Sequence, residues 1–130
     1  MKKVMVFGTF DGLHEGHRAM LKEAKALGGY LFAVVAQDHI VMHLKGHLPQ
    51  RNFSDRFEHL EKADGVDKVV IGDAEIGTWN IVKRHKPEVI GIGHDQHMLK
   101  SDLEFQIKNK KLGYKPEIVM LHYVEVDKHE

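Results

Sequence analysis

The sequence predicts an α/β protein built on an open parallel sheet of five strands, with helices on both faces of the sheet. Short apolar runs suited to buried strands alternate along the chain with segments whose apolar residues recur three and four positions apart. Residues 30–36 form a continuous apolar run, which is typical of a parallel strand covered on both faces. The chain has 130 residues and no cysteine, which fits one domain with a core that needs no disulfides.

Charge and hydropathy limit the classes of partner. Lysine plus arginine and aspartate plus glutamate number 19 each, so the net charge gives no reason to expect a nucleic acid or an anionic membrane as partner. No apolar run approaches the length that spans a bilayer, and the apolar run after Lys3 is too short for the core of a signal peptide. We therefore expect a soluble, cytoplasmic protein that forms a single domain over residues 1–130.

The first strand, turn and helix form the predicted functional centre. Residues 4–7 are apolar, residues 19–27 have the periodicity of an amphipathic helix, and residues 8–17 between them are Gly-Thr-Phe-Asp-Gly-Leu-His-Glu-Gly-His. Such a turn directs backbone N–H groups and a helix N-terminus at one point, which makes an anion site. His14 and His17 add donors that can be cationic near neutral pH. The sequence therefore predicts a site for the phosphates of a nucleotide.

The later elements continue the alternation. Further strands are predicted at residues 30–36, 66–72, 88–93 and 116–121, and further helices at 79–85, at 101–112 and from about residue 53 onward. Asn52 or Ser54 is expected to cap the helix that begins there. The first two strands and the helix between them make a βαβ unit with a right-handed crossover. Ligands are then expected at the carboxyl ends of the strands.

Residues 38–52 are predicted to be a loop with at most one helical turn. His39, His43 and His47 are spaced four apart, which would align them on a helix and suggest a metal site. Gly46 and Pro49 favour a loop instead, and no cysteine or evident carboxylate completes a ligand set. We therefore expect exposed histidines and no metal site formed by the protein.

Several motifs in this sequence resemble those of one enzyme family. The spacing His14-Glu15-Gly16-His17 resembles the HxGH signature of nucleotidyltransferases, and the preceding Gly-Thr-Phe-Asp is similar to the opening of the cytidylyltransferase-like family. That family includes glycerol-3-phosphate cytidylyltransferases and archaeal-type FAD synthases. Gly93-His94-Asp95-Gln96 resembles a motif of the FAD synthase branch, with histidine in place of tyrosine. The resemblance implies a Rossmann-like sheet with strand order 3-2-1-4-5, and a homodimer.

The resemblance also implies a reaction. A phosphorylated acceptor, either FMN or a small alcohol phosphate such as glycerol 3-phosphate, would receive AMP or CMP from ATP or CTP, with release of pyrophosphate and with Mg²⁺ accompanying the nucleotide. Relatives continue beyond the fifth strand into a Ser/Thr-rich segment that holds the β- and γ-phosphates, whereas no serine or threonine follows Leu112 here. A non-catalytic nucleotide-binding or sensor module of the same fold is therefore the alternative.

The resemblance assigns roles to particular residues. His14, His17 and Lys45 are the expected catalytic residues. The nucleotide is expected to contact Gly8, Thr9, Phe10, His14, His17, Gly93 and Asp95. The phosphate of the acceptor is expected to contact Asp11, Lys45 and Arg56. Two of these have alternative roles, since Asp11 could order the turn and Asp95 could cap the next helix.

Overall fold

A computed structural model describes residues 1–13 and 15–122, with only the backbone of Glu15 included. The strands are β1 (Lys2–Gly8), β2 (Gly29–Val35), β3 (Lys68–Ile71), β4 (Val89–Ile92) and β5 (Glu117–Met120). The helices are α1 (Glu15–Ala26), α2 (Asp38–Lys45), α3 (Phe53–Glu61), α4 (Asn80–His85) and α5 (His97–Lys108). Strands and helices alternate as the sequence predicts, with α2 as an additional helix.

All five strands run parallel in one sheet, in the order β3-β2-β1-β4-β5. This confirms the predicted fold class and strand order. β1 lies at the centre, paired along its whole length with β2 and over Val4–Val6 with β4. The strand order reverses here, because β2 and β3 lie to one side of β1 and β4 and β5 to the other. In open α/β sheets ligands bind in the crevice outside the carboxyl ends of the strands at such a point.

Each face of the sheet packs against its own helices. Val4 and Val6 of β1 join the cluster that contains Leu21 of α1 and Leu60 of α3. Met5, the residue between them, joins the cluster on the other face together with Leu103 of α5. Successive side chains of a strand point to opposite faces, so a strand covered on both faces must be apolar throughout. The central strands of this sequence satisfy that requirement.

The prediction of a loop over residues 38–52 is wrong for its first half, where α2 forms two turns of helix. Val41 is buried, which anchors this short helix to the body of the protein. Gly46 has φ 80° and its N–H donates to the carbonyl of Met42 at 2.8 Å, so it closes the helix in the left-handed conformation that glycine adopts readily. The glycine that favoured a loop therefore marks the end of a helix.

The starts of two other helices can be compared with the starts predicted from the sequence. Asn52 caps α3 as predicted, because its Oδ1 accepts the N–H of Asp55 at 2.9 Å. α5 begins at His97, earlier than the predicted residue 101, because Leu99 packs against the same cluster as Leu103 one turn later. None of the helices in the described part of the chain is long and apolar enough to cross a membrane.

Candidate active site

The turn after β1 contains two residues with positive φ and is closed by a hydrogen bond between backbone atoms. Phe10 has φ 53° and Gly12 has φ 86°, and the N–H of Gly12 donates to the carbonyl of Phe10 at 3.1 Å. Positive φ is rare for a bulky residue and costs free energy. The Phe10 side chain is 2% exposed, so burial of its ring offsets that cost.

Gly8 leaves room for this ring. A Cβ atom at Gly8 would lie 3.0 Å from the edge of the Phe10 ring, closer than carbon atoms normally approach. The ring also packs against the imidazole of His17, with centroids 5.8 Å apart and planes at 57°. Gly8, Phe10 and His17 therefore form one packed unit at the carboxyl end of β1.

His17 lies in the first turn of α1 and is 6% exposed. It therefore stands at the helix N-terminus, where the helix dipole favours anions. The other histidine of the motif, His14, lies outside the described residues, as does the segment 123–130 after β5, where relatives carry the Ser/Thr-rich segment that this sequence lacks.

Asp11 links this turn to the loop before α3. Its two carboxylate oxygens accept the backbone N–H groups of Gln50, at 2.7 Å, and Arg51, at 2.9 Å. This is the turn-ordering role that the sequence left open for Asp11. The loop 46–52 is thereby fixed beside the carboxyl end of β1.

Arg56, which was expected to contact phosphate, is fully buried in this structure. Its Nη1 donates to the Thr9 carbonyl at 2.7 Å, and its Nη2 donates to Asp38 Oδ1 at 2.5 Å. Its Nε donates to the carbonyl of Arg51 at 3.1 Å. The guanidinium therefore joins the turn after β1, the start of α2 and the loop before α3. This position suits a residue that holds the loops of the site in place, rather than one that contacts a ligand.

Lys45, the last residue of α2, is exposed. No ion pair or hydrogen bond holds its ammonium group within the described residues. The Lys45 side chain therefore lies at the surface, without a hydrogen bond or ion pair to the described residues of the turn after β1.

The turn after β4 is linked to β1 by Gln96. The side-chain Nε2 of Gln96 donates to the carbonyl of Phe7 at 2.8 Å, and its Oε1 accepts the N–H of Gly93 at 2.9 Å. Asp95 is exposed in the same turn, and its Oδ1 lies 3.1 Å from where a Cβ at Gly93 would stand. Gly93 thus leaves the space that the Asp95 carboxylate uses, and Gln96 holds this turn beside the end of β1.

The turn after β3 is attached to the start of α2. Gln37 Nε2 donates to the carbonyl of Gly72 at 2.8 Å, and Nε2 of the His39 ring lies 2.7 Å from the carbonyl oxygen of Ala74. Together with the bonds of Asp11, Arg56 and Gln96, these contacts join the turns after β1, β2, β3 and β4 at one edge of the sheet. Sequence reasoning missed the linking role of Gln96, although its motif was noted.

The described residues contain no group of three histidine, aspartate or glutamate side chains arranged to hold a metal ion. In α2, His39 and His43 lie one turn apart, but the His39 ring is engaged with Ala74. Magnesium is commonly held by substrate phosphates with one or two carboxylates and several waters, rather than by a cage of protein ligands. The site described here is compatible with an ion that arrives on a nucleotide.

Fold and site together define a nucleotide-binding α/β protein, in which a glycine-rich turn at the carboxyl end of the central strand leads into a helix carrying a histidine. The family model for cytidylyltransferase-like proteins matches residues 5–128. The chain belongs to this family and is a nucleotidyltransferase.

Several relatives are similar over almost the whole chain. An FAD synthase from Pyrococcus horikoshii is 39% identical over 122 residues, covering 94% of this chain and 81% of the relative. An FAD synthase from Thermococcus sibiricus is 37% identical over 121 residues, covering 93% of this chain and 80% of the relative. The crystal structure of a lipopolysaccharide core biosynthesis protein from Thermoplasma volcanium matches with a TM-score of 0.83 and 34% identity, covering 96% of this chain and 99% of that chain.

Proposed function

We propose that this nucleotidyltransferase is an FAD synthase, which transfers AMP from ATP to FMN and releases pyrophosphate. The observation that carries the proposal is the sequence identity of 37–39% to FAD synthases over more than nine tenths of the chain. The Gly93-x-Asp95-Gln96 motif supports it, because Gln96 fixes that turn at the edge where a nucleotide would bind. CTP as donor is the second candidate, favoured by the family to which the chain belongs.

In this reaction a phosphate oxygen of FMN attacks the α-phosphorus of ATP. A new P–O bond forms, the bond between the α-phosphorus and the bridging oxygen breaks, and pyrophosphate leaves with the electron pair. The nucleophile is already an anion, so no strong base is required. Catalysis then depends on positioning the two phosphates and on stabilising the charge that develops in the transition state.

The turn after β1 would supply that stabilisation. We assign to His17 a hydrogen bond to the phosphates of the nucleotide, because it lies at the N-terminus of α1 and its ring is held by Phe10. His14 would act beside it. Backbone N–H groups of residues 8–10 and the Thr9 hydroxyl would contact the α-phosphate, and Mg²⁺ would enter bound to the triphosphate.

The remaining residues divide between the two substrates. Gly93 and Asp95, after β4, would contact the ribose or the base of the nucleotide. Lys45 would meet phosphate charge from the α2 side. Arg56 and Asp11 would act by holding the loops of the acceptor side in place, as their contacts suggest. The family resemblance adds a homodimer to the proposal, and the composition of the sequence adds a cytoplasmic location.

The test crosses ATP and CTP with FMN, glycerol 3-phosphate and phosphocholine in the presence of Mg²⁺, and measures pyrophosphate and the adduct. We expect FAD from ATP and FMN. His17→Ala should lower the rate by about 10²- to 10³-fold, the usual cost of losing one transition-state donor. His17→Asn keeps a smaller polar side chain, and an unchanged circular dichroism spectrum in both variants would exclude misfolding as the cause of the loss.

The matched control is His59→Ala, which removes an exposed histidine from the last turn of α3. This variant should retain the wild-type rate within about twofold, as surface substitutions usually do. Product from CTP alone would replace FAD synthase by a cytidylyltransferase. A His17→Ala rate close to wild type would remove His17 from the mechanism.

A further inference from the structure

Hydrogen bonds to the backbone N–H and to the carbonyl oxygen of Arg51 hold this residue in place. Its N–H donates to Asp11 Oδ1 at 2.9 Å, and its carbonyl oxygen accepts from Arg56 Nε at 3.1 Å. Asp11 belongs to the turn after β1, and Arg56 is fully buried. These bonds involve no side-chain atom of Arg51, so the backbone position of this residue does not depend on the nature of its side chain.

The side chain of Arg51 is directed at the turn that precedes α1. Its Nε lies 3.5 Å from the position that a Cβ would take on Gly12, and the residue is exposed. Gly12 has φ 86°, a conformation that disfavours a side chain, and the Arg51 guanidinium lies at van der Waals distance from the position of the missing Cβ. An arginine is therefore brought to the edge of the anion-binding turn.

The charge of Arg51 is not neutralised by a carboxylate within the described part of the chain. The two oxygens of Asp11 accept backbone N–H groups, and Asp38 pairs with Arg56. An exposed guanidinium that pairs with no described carboxylate, on a residue fixed through its backbone beside such a turn, can bind a phosphate through two parallel hydrogen bonds.

The order of the strands indicates which substrate carries the phosphate that Arg51 would bind. The loop 46–52 follows β2 and lies on the β2 side of β1, whereas Gly93 and Asp95 follow β4 on the opposite side. A nucleotide whose ribose or base is held near Asp95 leaves the β2 side for the second substrate. We propose that Arg51 binds the phosphate monoester of the acceptor, an inference that rests on the function proposed above.

The test is steady-state kinetics of the full chain with FMN varied at saturating Mg·ATP, and then with Mg·ATP varied at saturating FMN. Arg51→Gln should lower kcat/KM for FMN by about tenfold or more, in line with the loss of hydrogen bonds to a charged group. The KM for Mg·ATP should stay within about twofold, as for an uninvolved surface residue. Arg51→Lys should restore part of the loss, since a lysine keeps the charge but not the planar fork.

Two controls separate binding from structure. Arg84→Gln removes an exposed arginine from the C-terminal half of α4, at the other end of the sheet, and should leave both parameters unchanged. In equilibrium titrations followed by flavin fluorescence, wild type should bind FMN more tightly than riboflavin, which lacks the phosphate. Arg51→Gln should weaken FMN binding and leave riboflavin binding as it is.

The outcomes are distinguishable. Unchanged kcat/KM for FMN in Arg51→Gln, with an active wild type, would overturn the inference and leave the proposed function standing. A raised KM for Mg·ATP with an unchanged KM for FMN would mean that Arg51 contacts the nucleotide, and this result would also overturn the inference. A wild-type chain that forms no FAD would overturn the proposed function, and the assignment of Arg51 with it.

Discussion

Gly8 and Phe10 show how the shape of a site can depend on the packing of side chains around its backbone. The ring of Phe10 fills the space that a side chain at Gly8 would occupy, and its other edge contacts the imidazole of His17. The left-handed backbone at Phe10 is what brings the ring to this position. Strain of this kind persists only where the surroundings hold it, and it is common at functional sites.

Arg56 illustrates what spacing cannot reveal. The sequence placed an arginine at the start of the second predicted helix and the resemblance gave it a phosphate to bind. Two of its three acceptors, the carbonyl of Thr9 and the carboxylate of Asp38, lie 47 and 18 positions away in the chain. Whether an arginine is buried among such groups depends on tertiary packing, which no local pattern encodes.

Gln96 is a positioning residue whose removal we expect to impair nucleotide binding. Gln96→Leu removes the bonds to Phe7 and Gly93, and therefore frees the turn that carries Asp95. Misplacement of a site by a small distance can cost up to about 10²-fold in rate. We expect kcat/KM for Mg·ATP to fall by about 10- to 100-fold, chiefly through KM, in steady-state assays.

The matched control for this prediction is Gln50→Leu. Gln50 is exposed and reaches Asp11 through its backbone N–H, which the substitution keeps. Gln96→Glu adds a second comparison, because it keeps an acceptor for Gly93 but places a carboxylate oxygen beside the Phe7 carbonyl. Wild-type kinetics in both Gln96 variants would show that the turn keeps its position without this residue.

At the scale of elements, apolar runs predicted all five strands, because a parallel strand buried on both faces leaves an uninterrupted signal. Helix α2 was missed, since only Val41 of its eight residues is buried and Gly46 follows it directly. A short helix with one buried apolar residue has weak apolar periodicity. The capping residue Asn52 was found because its bond to Asp55 is local. Local interactions were therefore predictable and distant ones were not.

A hydrogen bond between side chains links the start of α4 to α5, beside the apolar cluster that both helices share. Trp79 precedes α4 at φ 54° and is 6% exposed, and its indole N–H donates to Asp102 Oδ2 at 2.5 Å. Its ring meets Phe7 edge to face at 5.9 Å, so the end of β1 rests on the same junction. The bond thus joins two helices and the strand that leads to the site.

We expect Asp102→Ala to destabilise the protein by about 1–3 kcal/mol, because it leaves a buried indole N–H without an acceptor. Asp102→Asn should cost less, since its amide oxygen can still accept. The free energy of unfolding can be followed in urea by fluorescence of Trp79, the single tryptophan. Equal stability of Asp102→Ala and wild type would mean that water replaces the carboxylate without loss.

At the scale of the whole molecule, groups with shifted pKa values lie at the edge of the sheet opposite the candidate site. The bond from Lys25 lowers the pKa of Asp67 just before β3, and the backbone N–H of Lys3 lowers the pKa of Glu88 just before β4. Burial raises the pKa of Tyr114, whose hydroxyl donates to the carbonyl of Pro87. The interactions that shift these pKa values therefore lie at the amino ends of the strands, away from the loops of the candidate site.

His85 should make that stability depend on pH. Burial lowers the pKa of its imidazole, and the charges of Arg84 and Lys68 lower it further. The unfolded chain then binds a proton near the ordinary pKa of 6.5 while the folded ring remains neutral. Stability is therefore full above that pH and falls as the pH decreases through it, with a slope of at most about 1.4 kcal/mol per pH unit for one proton. Partial exposure should make the slope smaller.

The measurement compares urea unfolding of wild type and His85→Gln at about pH 7.5 and about pH 5.5, on either side of the ordinary histidine pKa. Glutamine cannot titrate, so the variant should lose less stability than wild type between the two values. His59→Gln, at an exposed position, is the control and should follow wild type. If His85→Gln loses as much stability as wild type, the acid sensitivity comes from other groups, and the convergence of Arg84 and Lys68 on this ring has no energetic consequence.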